Sequence, residues 1–269
     1  MKIKITLNGK ETEIVEATAF KVRDKFGKPA DIVIVNGFQI DEDCAVKEND
    51  ILNIIPRGEM PNKEELESMM MARHTPRVHY KVKSGKVAIA GLGGLGSNIA
   101  VILARIGVGE LLLVDYDVVE PSNLNRQCYN ISHLGLPKTQ ALKMQIEEIN
   151  PFIKVDIRNV RVTEDNVQEL FGGYHIVCEA FDKPDAKAML VNTLLKQLPD
   201  VKIVAASGMA GFESSNLIKT TRPMKNLYVC GDLESGAAIG NGLMAPRVMV
   251  CAGHQANMIL RLLMEIEEV

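Results

Sequence analysis

The sequence predicts an α/β protein: a mainly parallel, doubly wound sheet preceded by a small β-rich module. Three observations carry this reading. From Lys86 onward strand-like apolar runs alternate with helical ones, the run VAIAG leads into the glycine cluster Gly91 to Gly96, and the first sixty residues crowd several short strands around one helix. A chain of 269 residues accommodates one α/β domain and a smaller attachment, at roughly 100–200 residues per domain.

The elements follow in order. Residues 2 to 7 alternate apolar and polar and run into Asn8-Gly9, a pair suited to a type I′ hairpin, with Thr12, Ile14 and Ala17 on the returning strand. Thr18 is placed to cap a helix through Phe26, which Gly27 and Pro29 stop, and 32–35 and 50–55 read as further strands, giving ββαββ. The stretch 56–61 carries turn formers and no apolar period, so a boundary is expected there. Asn62 and Glu65 form a capping-box pattern, and Leu66, Met69, Met70 and Arg73 give a short amphipathic helix. Beyond Lys86 the alternation runs through a helix at 97–106, ELLLVD, a helix at 138–149, IKVDIR, a helix at 163–171, HIVCEA, a helix at 185–198 and VKIVAA. Two shorter strands at 216–221 and 226–230, a glycine-rich loop through Gly242, and a helix opening at Ala245-Pro246 and running to the C-terminus complete the chain. The expected domains are 1–58, a linker with a short helix at 59–80, and 81–269.

Composition excludes several function classes. Apolar residues make up 46% and charged residues 24%, and the net charge is −3, which describes a globular chain without the basic excess that nucleic acid demands. The alternating start lacks the continuous apolar core of a secretory signal, and no uncharged apolar run reaches about 18 residues, so a cytoplasmic protein without a membrane partner is expected. The five cysteines are scattered with no C-x-x-C pair, which argues for reduced thiols and against structural zinc. The five histidines show no metal-ligand spacing and read as structural or surface residues.

The chemistry concentrates in one stretch. Gly91, Gly93, Gly94 and Gly96 follow a strand and open a helix, where they let phosphates approach backbone N–H groups, and Asp115 ends the next strand about 20 residues on, where a carboxylate holds ribose hydroxyls. Alone, this Rossmann-like fingerprint favours a dinucleotide. The set Asn123, Arg126, Lys138 and Asp182 changes that reading, because a dehydrogenase has no use for it. An enzyme that adenylates a carboxylate does: the anionic nucleophile must approach a polyanionic triphosphate, so Arg126 and Lys138 would neutralise phosphates, Asn123 would position the nucleotide and Asp182 would hold magnesium. No general base is needed, since a carboxylate carries no proton to remove.

On these residues the chain resembles the ThiF and MoeB adenylyltransferases, bacterial relatives of the ubiquitin-activating enzymes. GLGGLG, LLLVDYDVVEPSNLNRQ, GLPK and the later Asp182 stand in the family's order within residues 62 to 269. The resemblance implies that Asp115 contacts the ribose, that Asn123, Arg126 and Lys138 contact phosphates, and that Asp182 is the magnesium ligand. ATP and Mg2+ are the implied cofactors, and the implied substrate is a ubiquitin-like sulfur carrier ending in Gly-Gly, of the kind used in thiamine (thiazole) biosynthesis, with a sulfur donor protein as a further partner. It also implies a homodimer in which an arginine of one subunit's N-terminal helix reaches the other's phosphates, with Arg73 the candidate.

The first sixty residues resemble the sulfur carrier itself, a ThiS-type β-grasp (ubiquitin-like) domain, through their element order, VNGF at 35–38 and the strand DILNIIP. Two departures matter. Gly58 is single and continues into Glu59, so the fused domain offers no terminal carboxylate and reads as a docking or regulatory element. Ser207 to Asn216 contains no cysteine to receive an acyl group, and Cys230, the nearest downstream thiol, reads as a buried small hydrophobe. Competing readings are a non-catalytic nucleotide- and carrier-binding module, adenylation of another carboxylate such as one on modified tRNA, and a nicotinamide oxidoreductase.

Overall fold

The computed structural model describes residues 2–74 and 78–269, and residues 75–77 of the expected linker lie outside the described residues. The chain divides into two compact units, Met1–Tyr80 and Lys81–Val269.

In the smaller unit, β1 (Ile3–Leu7) and β2 (Lys10–Ile14) form a hairpin whose turn residues Asn8 and Gly9 have φ of 48° and 83°, the left-handed pair a type I′ turn requires. Then come α1 (Ala19–Phe26), β3 (Ile32–Val35), β4 (Phe38–Ile40) and β5 (Ile51–Ile55), in the sheet order β2-β1-β5-β3-β4 with β1 parallel to β5. Strand β4 is additional to the expected ββαββ. Its three residues are too few to show a period, and a second left-handed Asn-Gly pair, Asn36-Gly37, folds it onto β3. Thr18 occupies the cap position of α1 without a side-chain cap bond; the carboxylate of Asp43 accepts the Phe20 N–H instead, at 2.8 Å. Ile5, Leu7, Ile14, Ala19, Val22, Val33, Leu52 and Ile54 form the core.

Helix α2 (Lys63–Met70) begins as expected, with Asn62 Oδ1 accepting the Glu65 N–H at 3.0 Å, but it ends before Arg73. The ladder tightens there to i→i−3 bonds, Ala72 N to Met69 O and His74 N to Met71 O, which turn the chain out of the helix. Ser68 Oγ donates to the buried Asn53 Oδ1 at 2.8 Å, so α2 belongs to the small unit.

A helix not expected from sequence, α3 (Val78–Lys83), carries the chain across the division after Tyr80, and the larger unit continues with β6 (Lys86–Ala90), α4 (Gly94–Arg105), β7 (Glu110–Asp115), α5 (Lys138–Ile149), β8 (Lys154–Asn159), α6 (Val167–Phe171), β9 (Ile176–Glu179), α7 (Pro184–Gln197), β10 (Lys202–Ala206), β11 (Lys219–Met224), β12 (Leu227–Gly231) and α8 (Ala245–Leu263). The seven-stranded sheet has the order β11-β12-β10-β9-β6-β7-β8 and is parallel except for β11. Both faces are covered, which is why the central strands are apolar throughout rather than alternating. Ala88 and Ala90 pack with α6 and α7 through Phe171, Leu190 and Leu194, while Ile89 faces α4. Strand order reverses between β6 and β9, and such a reversal opens a crevice at the carboxyl ends of the strands.

The boundaries differ from expectation where side-chain caps intervene. α6 is shorter than 163–171 because Asn166 Oδ1 takes the Thr163 N–H at 2.8 Å and holds that stretch as a turn. α8 stops at Leu263 instead of the terminus: Glu265 adopts φ 65° and Ile266 N returns to Arg261 O at 2.8 Å, a Schellman-type ending. Among the described residues, no helix is long and apolar enough to cross a membrane.

Leu52 is fully buried in the small core, so Leu52→Ala is expected to cost about 2–5 kcal/mol there. Hydrogen exchange should then quicken in β1, β3 and β5 while α4 amides keep their protection.

Candidate active site

The glycine turn sits at the carboxyl end of β6, where only glycines fit. Gly91 has φ 91°, and a Cβ there would lie 2.8 Å from Ala180 O; a Cβ on Gly96 would lie 1.8 Å from Gly91 O. These approaches bring the start of α4, the end of β6 and the segment after β9 into contact. Gly93 and Gly94 instead face side chains, Gln127 and Val248 with Arg126 respectively. Helix α4 begins at Gly94, three residues before the expected start, so its N-terminal N–H groups and positive dipole end lie directly behind the turn.

Asp115 ends β7 and is 8% exposed. Its Oδ2 accepts the Leu92 N–H at 2.6 Å and its Oδ1 the Asp117 N–H at 2.8 Å, so the carboxylate shapes the turn and retains a lone pair on each oxygen. Tyr129 Oη donates to Leu92 O at 2.8 Å, and burial pushes its phenol far above the usual range, so it acts as a neutral brace.

Lys138 opens α5 and is 6% exposed, its Nζ 2.9 Å from Asp117 Oδ2. A cation in a helix's first turn opposes the macrodipole, so helix stability does not account for this lysine. Arg126 is half-buried. Its Nη1 donates to Ser122 O and Asn125 Oδ1 at 3.0 and 2.8 Å, and its buried Nε has no hydrogen-bond partner. Neither acceptor is a carboxylate, so among the described residues the guanidinium charge is unpaired. Asn123 is buried in a one-turn 3-10 helix, where its Oδ1 accepts the Glu120 N–H at 3.0 Å. Asp182 lies exposed just beyond β9, with no hydrogen bond or ion pair among the described residues.

The structure thus gathers the glycines, Asp115, Lys138 and Arg126 about one turn, with Asn123 in the segment that carries Arg126 and Asp182 following the strand end that touches Gly91. Arg73 is not among them. It belongs to the smaller unit, exposed in the turn after α2, where its Nη2 donates to Gln39 Oε1 at 2.7 Å.

Sequence reasoning passed over Ser97 and Asn98, which look like ordinary first-turn residues. Ser97 Oγ donates to Gly93 O at 2.6 Å and accepts the Cys128 N–H at 3.0 Å, and Asn98 Nδ2 donates to Gly94 O and Arg126 O at 2.7 and 3.1 Å. Together they fasten the Arg126–Cys128 segment to the helix start. Their spacing carries no signal; only the fold brings that segment to them.

A glycine turn at a helix N-terminus, an arginine with an orphaned buried Nε and a buried lysine suit a nucleoside triphosphate. The family described as the ThiF family matches residues 67–269, and the ThiS-like ubiquitin family matches residues 3–58. The chain belongs to the ThiF family. This ThiF-family chain is 36% identical over 131 residues to molybdopterin-synthase adenylyltransferase of Haemophilus influenzae, covering 48% of this chain and 52% of that protein. It is 31% identical over 188 residues to the enzyme of the same name from Salmonella typhimurium, covering 68% and 74%. The first of these alignments thus spans about half the length of the curated relative. In fold it is similar to E. coli tRNA N6-threonylcarbamoyladenosine dehydratase TcdA in complex with ATP, with a TM-score of 0.68, 21% identity, and coverage of 77% of this chain and 98% of that one.

Among the described residues no three or more His, Cys, Asp or Glu side chains converge as metal ligands. A lone carboxylate still suits Mg2+, which usually takes one or two carboxylates together with substrate phosphates. The thiols are poorly placed for chemistry. Cys230 is fully buried and pushed up to about 11 by burial, and Cys251 likewise to about 12.

Gly96→Ala is expected to abolish nucleotide binding and lower the melting temperature, because backbone must move to admit the methyl group; an isothermal titration with ATP and a thermal melt check this. Iodoacetamide at pH 8 is expected to spare Cys178, Cys230 and Cys251 in the native protein and to label them in urea, read by mass spectrometry. Folding raises these thiols above the free value of about 8.5. Their contribution therefore favours the native state below that pH and is lost as pH climbs through about 11 and 12.

Proposed function

We propose that this chain adenylates the C-terminal glycine carboxylate of a separate ubiquitin-like sulfur carrier, using ATP. Arg126 carries the reading: a half-buried guanidinium with no carboxylate partner among the described residues and an orphaned Nε, beside a glycine turn, suits an anion. In this reading residues 1–58 are a carrier-like module, 59–80 connect, and 81–269 hold the adenylation site.

The chemistry asks little of the protein beyond charge and position. The carrier carboxylate attacks the α-phosphorus, the bond to the β-phosphate bridging oxygen breaks, and acyl-adenylate and pyrophosphate result. No proton is transferred. The turn Gly91–Gly96 and the α4 N-terminus receive phosphate oxygens, and Asp115 accepts the ribose hydroxyls on its spare lone pairs. Arg126, Lys138 and Asn123 hold the phosphates, Lys138 exchanging part of its contact with Asp117 for them. Asp182 would hold Mg2+, which when bound spreads the charge that develops on the departing pyrophosphate. Two copies pair in this reading, and Arg73, held in the described chain by the neutral Gln39, serves the partner's phosphates.

The fused carrier-like module is not the substrate, since Gly58 continues into Glu59 and offers no free carboxylate. Sulfur delivery then falls to another protein, as Cys230 is inaccessible. Thiamine-type transfer is the pathway we favour, because the fused module resembles a ThiS carrier.

ATP–pyrophosphate exchange with Mg2+ and a Gly-Gly-ending carrier tests this. Carrier-dependent exchange is expected, and Asp182→Ala and Arg126→Ala should each lower it about 10²–10³-fold. A ThiS-type carrier outperforming a molybdopterin-type one supports the thiamine assignment, and the reverse refutes it. Exchange with modified tRNA alone refutes the carrier, and absence of exchange with every acceptor leaves a nucleotide-binding module.

A further inference from the structure

We infer that the ion pair between buried Glu179 and partly exposed Lys187 is a positioning device that aims Asp182 at the nucleotide crevice. The inference rests on the adenylation reading and extends it to two residues that touch neither nucleotide nor carrier.

Glu179 is the last residue of β9 and is fully buried. Its Oε1 accepts the Phe181 N–H at 2.7 Å and a hydrogen bond from Lys187 Nζ at 3.0 Å, and Lys187 Nζ lies 2.9 Å from Oε2. The same ammonium donates to Phe181 O at 2.9 Å. Phe181 is therefore held at both its amide nitrogen and its carbonyl oxygen by one ion pair. The carbonyl oxygen of Phe181 and the Cα of Asp182 share a planar peptide unit, so fixing that oxygen restricts the position of the Cα that carries the Asp182 side chain. On the other flank, Ala180 O and the Phe181 ring press against Gly91, so no slack is taken up toward the glycine turn.

Arg126 and Asp182 have no opposite charge beside them among the described residues, whereas Glu179 and Lys187 are charge-paired with each other. A carboxylate and an ammonium placed inside a domain contribute little net stability compared with apolar residues of similar size, although breaking the pair leaves an uncompensated charge. Holding the four-residue loop 180–183 in one conformation is something an apolar pair cannot do, because it has no donor for Phe181 O. Lys187 reaches back from the first turns of α7, and Pro184 at the start of that helix stiffens the return path. Asp182 itself receives no hydrogen bond among the described residues, so the backbone sets its aim.

Lys187→Met removes the donor and keeps the length; Lys187→Arg keeps charge and donors. Two measurements on the full chain separate positioning from general support. Amide exchange at residues 180–183 is expected to quicken in Lys187→Met while α4 and α8 stay protected. Mg2+ titrated into protein with ATP is expected to bind about 10–100-fold more weakly in Lys187→Met, as for other residues that orient a metal ligand, with metal-free ATP affinity unchanged and Lys187→Arg restoring the metal response. Unchanged exchange at 180–183, an unchanged metal response, or equal loss of metal-free and metal-bound affinity overturns the proposal. Should Lys187→Met fail to fold, Glu179→Gln keeps the acceptor for Phe181 N–H and removes the charge that holds Lys187; the same selective loss is expected, and a wild-type metal response overturns it. Wild-type protein that binds ATP but ignores Mg2+ refutes the role of Asp182 and the positioning with it, and wild-type protein that binds no ATP refutes the nucleotide reading itself.

Discussion

The close approach at the end of β6 governs the larger unit. Gly96 lies so near Gly91 O, and Gly91 so near Ala180 O, that three segments meet with no room for a Cβ at either glycine. That contact sets where α4 starts, how far β9 extends and where the loop bearing Asp182 begins. Because the nearest atoms at both positions are backbone, a Cβ at either one is driven into main chain that no rotamer change can move aside. The strand-order reversal between β6 and β9 puts this contact at the carboxyl ends of the strands, where such sheets open a crevice.

Around this contact the charges fall into two groups. Glu179 with Lys187, and Arg247 with Asp232, are internal pairs that brace loops. In the second pair burial works against the Asp232 carboxyl, but the Ser235 hydroxyl and amide, the Glu234 amide and the Arg247 guanidinium outweigh it and hold the carboxyl far below its ordinary range. Arg126, Lys138 and Asp182 are different. Arg126 and Asp182 lack ionic partners among the described residues, and Lys138 pairs with Asp117, whose carboxylate is half exposed and can turn to water. Charges left incompletely paired at the mouth of a crevice destabilise the empty protein slightly and become favourable when a ligand of the right charge distribution arrives. The two braces set opposite charges against each other, whereas Arg126 and Asp182 face no opposite charge among the described residues.

The smaller unit shows how a carrier-like fold persists without a carrier's terminus. Its core of Ile5, Leu7, Val33, Leu52 and Ile54 and its two Asn-Gly turns are complete, and after β5 ends at Ile55 the chain continues through Gly58, whose φ is 70°, into Glu59, which pairs with Lys28. The residues that follow form α2, fastened to the same sheet through Ser68 and Asn53.

Taken alone, the sequence determined the alternation of strands and helices, the glycine turn, the break after Ile55 and the cluster of polar residues at 115–138 and 182, because each is written in local periodicity or residue type. The roles of Ser97, Asn98, Glu179 and Lys187 were not legible, since each depends on a partner brought in by the fold: Arg126 lies 28 residues from Asn98, and Phe181 is held from α7. The three-residue strand β4, the early end of α2 and the turn that shortens α6 were also decided in three dimensions, where side-chain caps and i→i−3 bonds override propensity. Local chemistry names which residues can bind a nucleotide. Which of them stay unpaired to do so is decided by long-range packing, because a charge is free or satisfied only relative to neighbours the chain's order does not reveal.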